Sequence, residues 1–199
     1  MPDDSHLLNT LKSDQPDAAL EELFELYADP IYRLALSLLG DPAAAEDVLQ
    51  DTFLAVMTHI QEFEGRSKLG TWMYRIAYNF SQERLRRKQP DPLPEEDFSE
   101  EEGFSFSPQA LIDWRWSPDD LLSDKEIRQI LEEAIQKLPE SLRVVFLLRD
   151  IEDLSTEETA EILRLSPGAV KVRLHRARLA LREQLSGYFT ERLSKGVQG

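Results

Sequence analysis

The chain has 199 residues, enough for one large domain or two small ones, and a formal net charge of -15. It contains no cysteine, which excludes a disulfide framework and thiolate metal sites. No apolar run approaches the roughly 20 residues that span a bilayer. The polar, acidic start MPDDSHLLNTLKSDQPD is also unlike a signal peptide. These features predict a cytoplasmic protein without membrane insertion.

The positive charges are concentrated in two short segments. Residues Arg84 to Lys88 read RLRRK, and the segment from Lys171 to Arg182 carries six basic residues and no acid. Acidic residues collect elsewhere, above all between Asp91 and Asp124. Clustered cations attract a phosphate backbone, whereas the acidic remainder repels it. This distribution predicts weak DNA binding by the chain alone and presentation to DNA by a partner.

The first forty residues predict a loose lead-in followed by one long helix. Residues 1–17 show little periodicity, whereas apolar side chains recur at helical spacing from Ala18 to Leu39. Pro30 is expected to kink or break that helix, because proline removes a backbone hydrogen bond. The sequence Gly40-Asp41-Pro42 then stops it and starts the next helix, with Asp41 as the cap.

A second helix is predicted from Pro42 to about Phe63. Its expected buried side chains are Val48, Leu49, Phe53, Val56, Met57 and Ile60. Its first turns carry the acidic or polar residues Glu46, Asp47, Gln50 and Asp51. Two interpretations of these residues remain open, because acids stabilise a helix N-terminus through its dipole and also form docking faces for basic partners.

A polar loop, Gly65 to Gly70, precedes a third helix that Thr71 is predicted to cap. This helix, TWMYRIAYNFSQERLRRK, interleaves aromatic side chains with arginine and asparagine. Aromatic side chains on a helix usually belong to the core. Beside a loop that carries Phe63 and Arg66, they also fit a surface on which unpaired bases stack while cations hold the phosphates.

Residues 89–123 are predicted to be a linker that is mostly irregular. Proline residues punctuate the segment, and its acid runs are expected to extend it through their mutual repulsion. The aromatic residues Phe104, Phe106, Trp114 and Trp116 are unusual for a spacer. The sequence leaves open whether they pack on a domain or enter a partner's channel.

Two helices are predicted directly after the linker. Ser123 and Glu126 form a capping box that opens the first helix, which runs to about Leu138. Pro139 starts the second. Nothing after about Tyr188 is predicted to be ordered.

Two further helix starts follow in close succession. Ser155 and Glu158 form a second capping box, and Ser166-Pro167 combines a hydroxyl cap with proline at the first helical position. Between them Leu163-Arg164-Leu165 leaves room only for a tight turn. Two short helices joined in this way indicate a helix-turn-helix, which gives the second domain four helices in total.

The second helix of this motif has two distinct faces. An apolar stripe is formed by Val170, Leu174, Ala177 and Leu181. The remaining surface carries Lys171, Arg173, His175, Arg176, Arg178 and Arg182. A solvated face on an acidic protein is expected to mix its charges, so this bias favours DNA, whose major groove accepts arginine and lysine. The alternative is a basic surface helix in a packed bundle.

With these segments in order, the chain resembles a bacterial RNA polymerase sigma factor of the extracytoplasmic-function (ECF) type, in the sigma-70 superfamily. AEDVLQDTFLAVM at Ala45–Met57 and TWMYRIAYNFSQERLRR at Thr71–Arg87 are similar to the two halves of that family's first conserved domain. LPESLRVVFLLRDIEDLSTEETAEIL and SPGAVKVRLHRAR, within Leu138–Arg178, are similar to its second. The resemblance covers about 20–88 and 124–186.

The resemblance implies an all-α fold of two small helical domains joined by an acidic linker. Residues 1–88 would form sigma region 2 and residues 89–123 the linker. Residues 124–186 would form region 4, the four-helix domain with the helix-turn-helix, followed by a C-terminal tail at 187–199.

The resemblance also implies partners and the residues that meet them. Core RNA polymerase would be bound through the coiled coil of its largest subunit and the flap of its second-largest subunit. The coiled coil would contact Asp47, Gln50, Asp51 and Phe53. The minus-ten promoter element, including a flipped base, would be held by Phe63, Glu64, Gly65, Arg66, Ser67, Trp72, Arg75, Asn79 and Arg84. The minus-thirty-five element would face Lys171, Val172, Arg173, His175, Arg176 and Arg178. An anti-sigma factor between the two domains is implied as well.

Two other classes of function compete with a factor that initiates transcription of a specific regulon. A free-standing helix-turn-helix regulator explains 124–186 but leaves the aromatic and basic helix of the first domain without a role. An enzyme has little support, because His6, His59 and His175 are scattered and no phosphate-binding glycine loop is present. No catalytic residue, metal or cofactor is therefore predicted.

Overall fold

A computed structural model describes residues 5–12, 17–88 and 125–196, and the regular structure in these ranges is helical. The α-helices in chain order are α1 (Ser5–Leu11), α2 (Asp17–Leu39), α3 (Pro42–His59), α4 (Leu69–Lys88), α5 (Lys125–Gln136), α6 (Glu140–Phe146), α7 (Thr156–Leu163) and α8 (Pro167–Gly196). A 3-10 turn at Ile60–Glu62 follows α3, and a π-helical turn at Leu147–Ile151 follows α6. The predicted all-α class is confirmed. The predicted linker and Ser123, with its capping box, lie outside the described residues.

The first four helices form one group in which α2, α3 and α4 pack against each other and α1 packs on α2. Their core is built from fully buried aliphatic side chains such as Leu23, Ile31, Val48, Val56 and Met73. Burial of each such side chain contributes roughly 1.5–3 kcal/mol, so this packing, rather than local propensity, holds the three long helices together.

The last four helices form a second group around α8. Helices α5, α6 and α7 all pack on α8, whose predicted apolar stripe of Val170, Leu174, Ala177 and Leu181 is buried. Helices α7 and α8 follow each other through the short turn that the sequence predicts for a helix-turn-helix. Arg164 ends α7 in the left-handed region, at a φ of 56°.

The predicted helix starts are confirmed at three places. The Asp41 carboxylate accepts a hydrogen bond from the Ala43 backbone N–H at 3.1 Å and caps α3. In the capping box of α7, the Glu158 N–H donates to the Ser155 hydroxyl at 3.1 Å, and the Ser155 N–H donates to the Glu158 carboxylate at 2.7 Å. The Ser166 hydroxyl accepts from the Ala169 N–H at 3.1 Å at the start of α8.

The prediction of a loose lead-in is wrong for Ser5–Leu11, which form α1. Leu7 and Leu11, one helical turn apart, are buried against the first group. The helix has only 7 residues, too few to show the repeated periodicity by which longer helices are recognised. Tertiary burial of two leucines stabilises a helix that is too short to form alone.

Helices α2 and α8 both continue past the point at which the sequence predicted a break or an end. Helix α2 runs without interruption through Pro30, and the carbonyl that loses its donor belongs to the exposed residue Leu26. Helix α8 extends to Gly196, beyond the predicted end of order near Tyr188, because no proline interrupts it.

Two predictions about the first group are also wrong. Met57 is 54% exposed, because α3 buries the narrower stripe of Val48, Thr52 and Val56. Thr71 does not cap α4, since that helix begins at Leu69 and Thr71 is buried inside its first turn. Among the described helices, none is long and apolar enough to cross a membrane.

The two groups contact each other along two pairs of helices. Helix α4 lies against α7, and α2 lies against α6. Buried apolar side chains of both groups belong to one hydrophobic cluster. This arrangement brings the first helix of the helix-turn-helix next to the aromatic and basic helix of the first group.

Candidate nucleic-acid and polymerase interfaces

The loop before α4 and one side of α4 border a cavity of about 830 Å³. Seven of the nine residues predicted to hold the minus-ten strand line it. They are Phe63, Glu64, Arg66, Ser67, Trp72, Arg75 and Asn79. Of the other two, Gly65 lies in the loop at a φ of 70°, where glycine is favoured, and Arg84 lies farther along α4.

Phe63 and Trp72 give this cavity an aromatic wall. Their ring centroids are 4.9 Å apart and their planes are tilted by 31°. Phe63 is buried, and the Lys12 ammonium of the α1 segment donates to its backbone carbonyl at 2.6 Å. Trp72 keeps part of its surface exposed. Phe63 therefore supports Trp72, and Trp72 offers the ring on which a base can stack.

The cations around the cavity are paired with carboxylates. Arg66 contacts Glu64 at 2.6 Å within the loop. Arg75 contacts Glu161 at 3.0 Å, and Glu161 belongs to α7 of the other helical group and lines the same cavity. The sequence did not indicate this neighbour, because Glu161 is one of several acids on α7 and lies 86 residues away along the chain.

An ion pair between Arg84 and Asp51 connects the predicted strand-binding surface with the predicted polymerase-binding surface. The Arg84 guanidinium donates to the Asp51 carboxylate at 2.6 Å, from α4 to α3. The predicted strand-binding residue Arg84 thus contacts a predicted polymerase-binding residue. The pair is only partly exposed, so it supports the packing of α3 on α4 whatever else each residue binds.

The other predicted docking residues lie on the exposed side of α3. Asp47 and Gln50 are exposed, and the half-buried Phe53 ring contacts Phe24 of α2 at a centroid distance of 5.1 Å. The exposed apolar residues of this region are Phe24, Leu54 and Met57. Their solvent-facing positions were not predicted, since apolar residues on an amphipathic helix are ordinarily assigned to its buried side.

The predicted DNA-binding residues of the basic helix α8 differ in their exposure to solvent. Lys171 is exposed, whereas Val172, Arg173, His175 and Arg176 are half-buried. The Arg178 guanidinium makes two hydrogen bonds to the Asp150 carboxylate, at 2.6 and 2.8 Å. These bonds raise the pKa of Arg178, and they fasten α8 to the π-helical turn. Arg178 therefore has a structural role inside its own domain.

Glu158 joins the helix-turn-helix to the cavity loop. Burial alone would raise its pKa, but the Ser155 N–H and the Lys68 ammonium, 2.9 Å away, lower that pKa to about 2. Glu158 is therefore ionised at neutral pH.

No group of three metal-ligating side chains occurs in the parts of the chain that the structure describes.

Comparison with known families matches both halves of the chain. The family described as Sigma-70 region 2 matches residues 23–90, and the family described as Sigma-70, region 4 matches residues 128–181. The first match includes the cavity-lining residues of the first helical group, and the second includes Glu161 and the first part of the helix-turn-helix up to residue 181.

Relatives are similar over most of the chain. The ECF RNA polymerase sigma factor SigW of Bacillus subtilis is 37% identical over 174 residues, which is 87% of this chain and 91% of SigW. The RNA polymerase sigma-H factor of Pseudomonas aeruginosa is 31% identical over 173 residues, covering 87% of this chain and 89% of that protein.

Solved structures show the same fold. The sigma factor RpoE, crystallised with the anti-sigma factor NepR from Bartonella quintana, has a TM-score of 0.60 and 25% identity, and the match covers 83% of this chain and 96% of RpoE. CnrH, in complex with the cytosolic domain of CnrY, has a TM-score of 0.63 at 23% identity, with 92% and 97% of the two chains covered. The chain belongs to the ECF RNA polymerase sigma factors of the sigma-70 family.

Proposed function

We propose that this ECF sigma factor binds core RNA polymerase, recognises minus-ten and minus-thirty-five promoter elements, and starts transcription of a specific regulon. The observation that carries the proposal is the convergence of seven predicted strand-binding residues on one cavity. The helix-turn-helix then supplies a second, separate DNA contact. A free-standing regulator would need only that second contact. Such a factor performs no catalysis itself and regulates where the polymerase begins.

The cavity is proposed to hold an unpaired base of the minus-ten element. Trp72 supplies a stacking surface, and Arg66 and Arg75 supply cations for the flanking phosphates. Stacking of one base on an aromatic side chain is worth about 1–3 kcal/mol, which offsets the few kcal/mol that unpairing a base costs. Capture of such bases would therefore open the duplex. Asn79, exposed on the cavity wall, is placed to hydrogen-bond a base edge.

Helix α8 is proposed to read the minus-thirty-five element from the major groove. Lys171, Val172, Arg173, His175 and Arg176 lie in its N-terminal half, the part of a recognition helix that contacts base edges. We assign Arg178 to the support of this helix through Asp150 rather than to DNA.

The exposed side of α3 is proposed to dock on core polymerase. Asp47, Gln50, Asp51 and Phe53 would meet the coiled coil of the largest subunit, and the exposed Leu54 and Met57 extend that surface with apolar contacts. The second domain would meet the flap of the second-largest subunit. Boundaries of 1–88, 89–123, 124–186 and 187–199 are proposed for the first domain, linker, second domain and tail.

Control by an anti-sigma factor is proposed from the relatives. RpoE of Bartonella quintana, which shares the fold, is seen in complex with the anti-sigma factor NepR. An equivalent protein bound to this chain would keep it from the polymerase until a signal releases it.

Run-off transcription tests the function. Core polymerase is incubated with genomic fragments, with and without the chain. New start sites that appear only with the chain are expected, each preceded by two shared sequence elements. Tight duplex binding by the chain alone, with no new transcript, would replace the proposal with a free-standing helix-turn-helix regulator.

A further inference from the structure

Polar contacts join the two helical groups, and in the following four sets the acid comes from the second group. The buried Glu152 carboxylate accepts hydrogen bonds from the Arg33 guanidinium at 2.9 and 3.1 Å and from the Tyr74 hydroxyl at 3.0 Å. Further contacts between the described parts of the two groups are Lys68–Glu158 at 2.9 Å, Arg75–Glu161 at 3.0 Å and Gln82–Glu140 at 3.0 Å.

Two of these acids lie where the phosphates of a bound strand are expected. Arg75 lines the cavity and Lys68 lies in the loop beside it, and their partners Glu161 and Glu158 both belong to α7. A carboxylate forms the same charge-assisted hydrogen bonds with guanidinium and ammonium groups as a phosphate does. Helix α7 and a DNA strand would therefore compete for the same cations.

The contact between the groups is also incompatible with binding both promoter elements at once, a step that rests on the proposed function. Elements about 25 base pairs apart are separated by roughly 85 Å of B-DNA. A compact chain of this length has a radius of gyration of only about 16 Å. An extended backbone spans up to about 3.5 Å per residue, so the segment 89–124 is long enough to let the groups separate.

From these contacts we infer that the free chain is held in a closed, autoinhibited form, in which α7 carboxylates occupy the strand-binding cations. Glu152 is the anchor of this form, because its side chain is only 8% exposed and satisfies two partners of the first group. Glu161 is the competitor, because it pairs with Arg75 inside the cavity. Separation of α7 from α4 releases the cavity for DNA.

The contacts of the anchor Glu152 and of the competitor Glu161 are expected to respond differently to added salt. The Arg75–Glu161 pair is partly exposed, so added salt weakens it. The Glu152 carboxylate is only 8% exposed, although its partner Arg33 is 48% exposed, so its contacts are screened less. The closed form is therefore expected to persist at moderate ionic strength and to depend on Glu152.

Domain separation can be measured without DNA or polymerase. Because the chain has no cysteine, Met57→Cys and Glu183→Cys place one fluorophore on each helical group at an exposed position. High energy transfer is expected in this labelled chain, and a loss of at least half of that transfer is expected when Glu152→Gln or Tyr74→Phe is added. Glu157→Gln, the same charge change at an exposed position of α7, is the matched control and should leave the transfer unchanged.

Controls distinguish the loss of the Glu152 anchor from a general loss of structure. Circular dichroism checks that each variant keeps its helix content, and Tyr74→Phe preserves the packed ring if Glu152→Gln does not fold. Low transfer in the parent chain, or equal transfer in all folded variants, overturns the closed form. Neither result bears on run-off transcription, so failure here is distinguishable from failure of the proposed function.

Competition for the cavity is tested with a fluorescein-labelled oligothymidylate of about 12 nucleotides, within the range that single-strand sites accommodate. Fluorescence anisotropy should show about twofold to fivefold tighter binding by Glu161→Gln than by Glu157→Gln, as expected from loss of one partly exposed pair. Equal affinities, or no binding by either variant, would refute the competitor role of Glu161.

Discussion

The Tyr74 hydroxyl donates a hydrogen bond to the Glu152 carboxylate at 3.0 Å, and so joins residues 78 positions apart in the chain. Tyr74 lies on α4 of the first helical group, and Glu152 follows the π-helical turn of the second. The Tyr74 ring also packs edge-on against Tyr27, with centroids 6.4 Å apart. One buried side chain thus serves both the core of the first group and its contact with the second.

Replacing Tyr74 tests the energetic value of this bond and its pH dependence. Tyr74→Phe should lower the free energy of unfolding at pH 7 by about 1.5–3 kcal/mol, the usual contribution of a hydrogen bond to a charged group. Burial and the Glu152 carboxylate raise the pKa of Tyr74 above its ordinary value of 10.0. The tyrosine therefore ionises first in the unfolded chain, and its stabilising contribution is present below pH 10 and is lost as the pH rises above it.

Urea unfolding at pH 7 and pH 11 measures this effect. The difference in stability between the parent chain and Tyr74→Phe should narrow by about 1.4 kcal/mol at the higher pH. The same substitution at Tyr32, which makes no hydrogen bond to Glu152, is the control. A difference that stays constant between the two pH values would contradict the prediction.

The Asp51–Arg84 pair requires a double substitution to separate docking from folding. Asp51→Arg should abolish co-purification with core polymerase, because it removes the net negative charge of the docking residues and places a cation among them. It should cost the fold only about 0.5–1 kcal/mol, since the pair is partly exposed. Adding Arg84→Asp restores an ion pair of opposite polarity and should recover the stability while polymerase binding stays lost. Recovery of polymerase binding in the double variant would show that Asp51 acts through Arg84.

Substitutions in helix α8 should distinguish the residues that bind DNA from the residues that hold the helix in place. Arg178→Ala leaves the mostly buried Asp150 unpaired and should lower the free energy of unfolding by about 1–3 kcal/mol. Lys171→Ala, at an exposed position, should change stability by less than about 0.5 kcal/mol.

Promoter binding should show the opposite order, with the larger effect at the residues that are proposed to contact DNA. Lys171→Ala or Arg176→Ala should weaken binding of the holoenzyme to the upstream element by about 1–3 kcal/mol wherever the residue contacts a base. Transcription from the cognate promoter, compared with a promoter whose upstream element is scrambled, provides the measurement. Unchanged transcription in both variants would count against recognition by this face.

Gly70 is a sensitive position because its helix passes close to Tyr27. A Cβ atom at Gly70 would lie 2.7 Å from Tyr27 Cε1 and 2.8 Å from the Tyr27 hydroxyl. Tyr27 is buried, so Gly70→Ala should destabilise the first group by about 1–3 kcal/mol, although alanine is ordinarily the better helix residue. Thermal unfolding of the variant measures this. A variant as stable as the parent would show that Tyr27 moves without cost.

Sequence reasoning found those features whose signals lie within a few residues of each other. The Ser155–Glu158 capping box and the Asp41 cap depend on pairs two or three positions apart, and both are present. The apolar stripe of α8 repeats over several turns, and it is buried as predicted. Most of the proposed minus-ten site could also be predicted, because one loop and one side of one helix supply it.

Features decided by contacts between distant segments could not be predicted from local patterns. Short α1 shows no periodicity, and it exists because Leu7 and Leu11 find buried places in the first group. The apolar character of Met57 indicated the core, but the neighbouring helices cover a narrower stripe of α3. No local signal distinguishes an arginine that pairs within the protein from one that faces DNA.

The sequence by itself determined most of the helices, the caps at Asp41, Ser155 and Ser166, the helix-turn-helix and the family, because these depend on short-range periodicity, backbone hydrogen bonding and extended motifs. Only the tertiary structure decided which polar and charged side chains are paired with each other. The partners Asp51–Arg84, Asp150–Arg178 and Tyr74–Glu152 are separated by 33, 28 and 78 positions. Coulomb attraction and hydrogen bonding act over a few ångströms in space, so such partners become visible only once packing has brought their helices together.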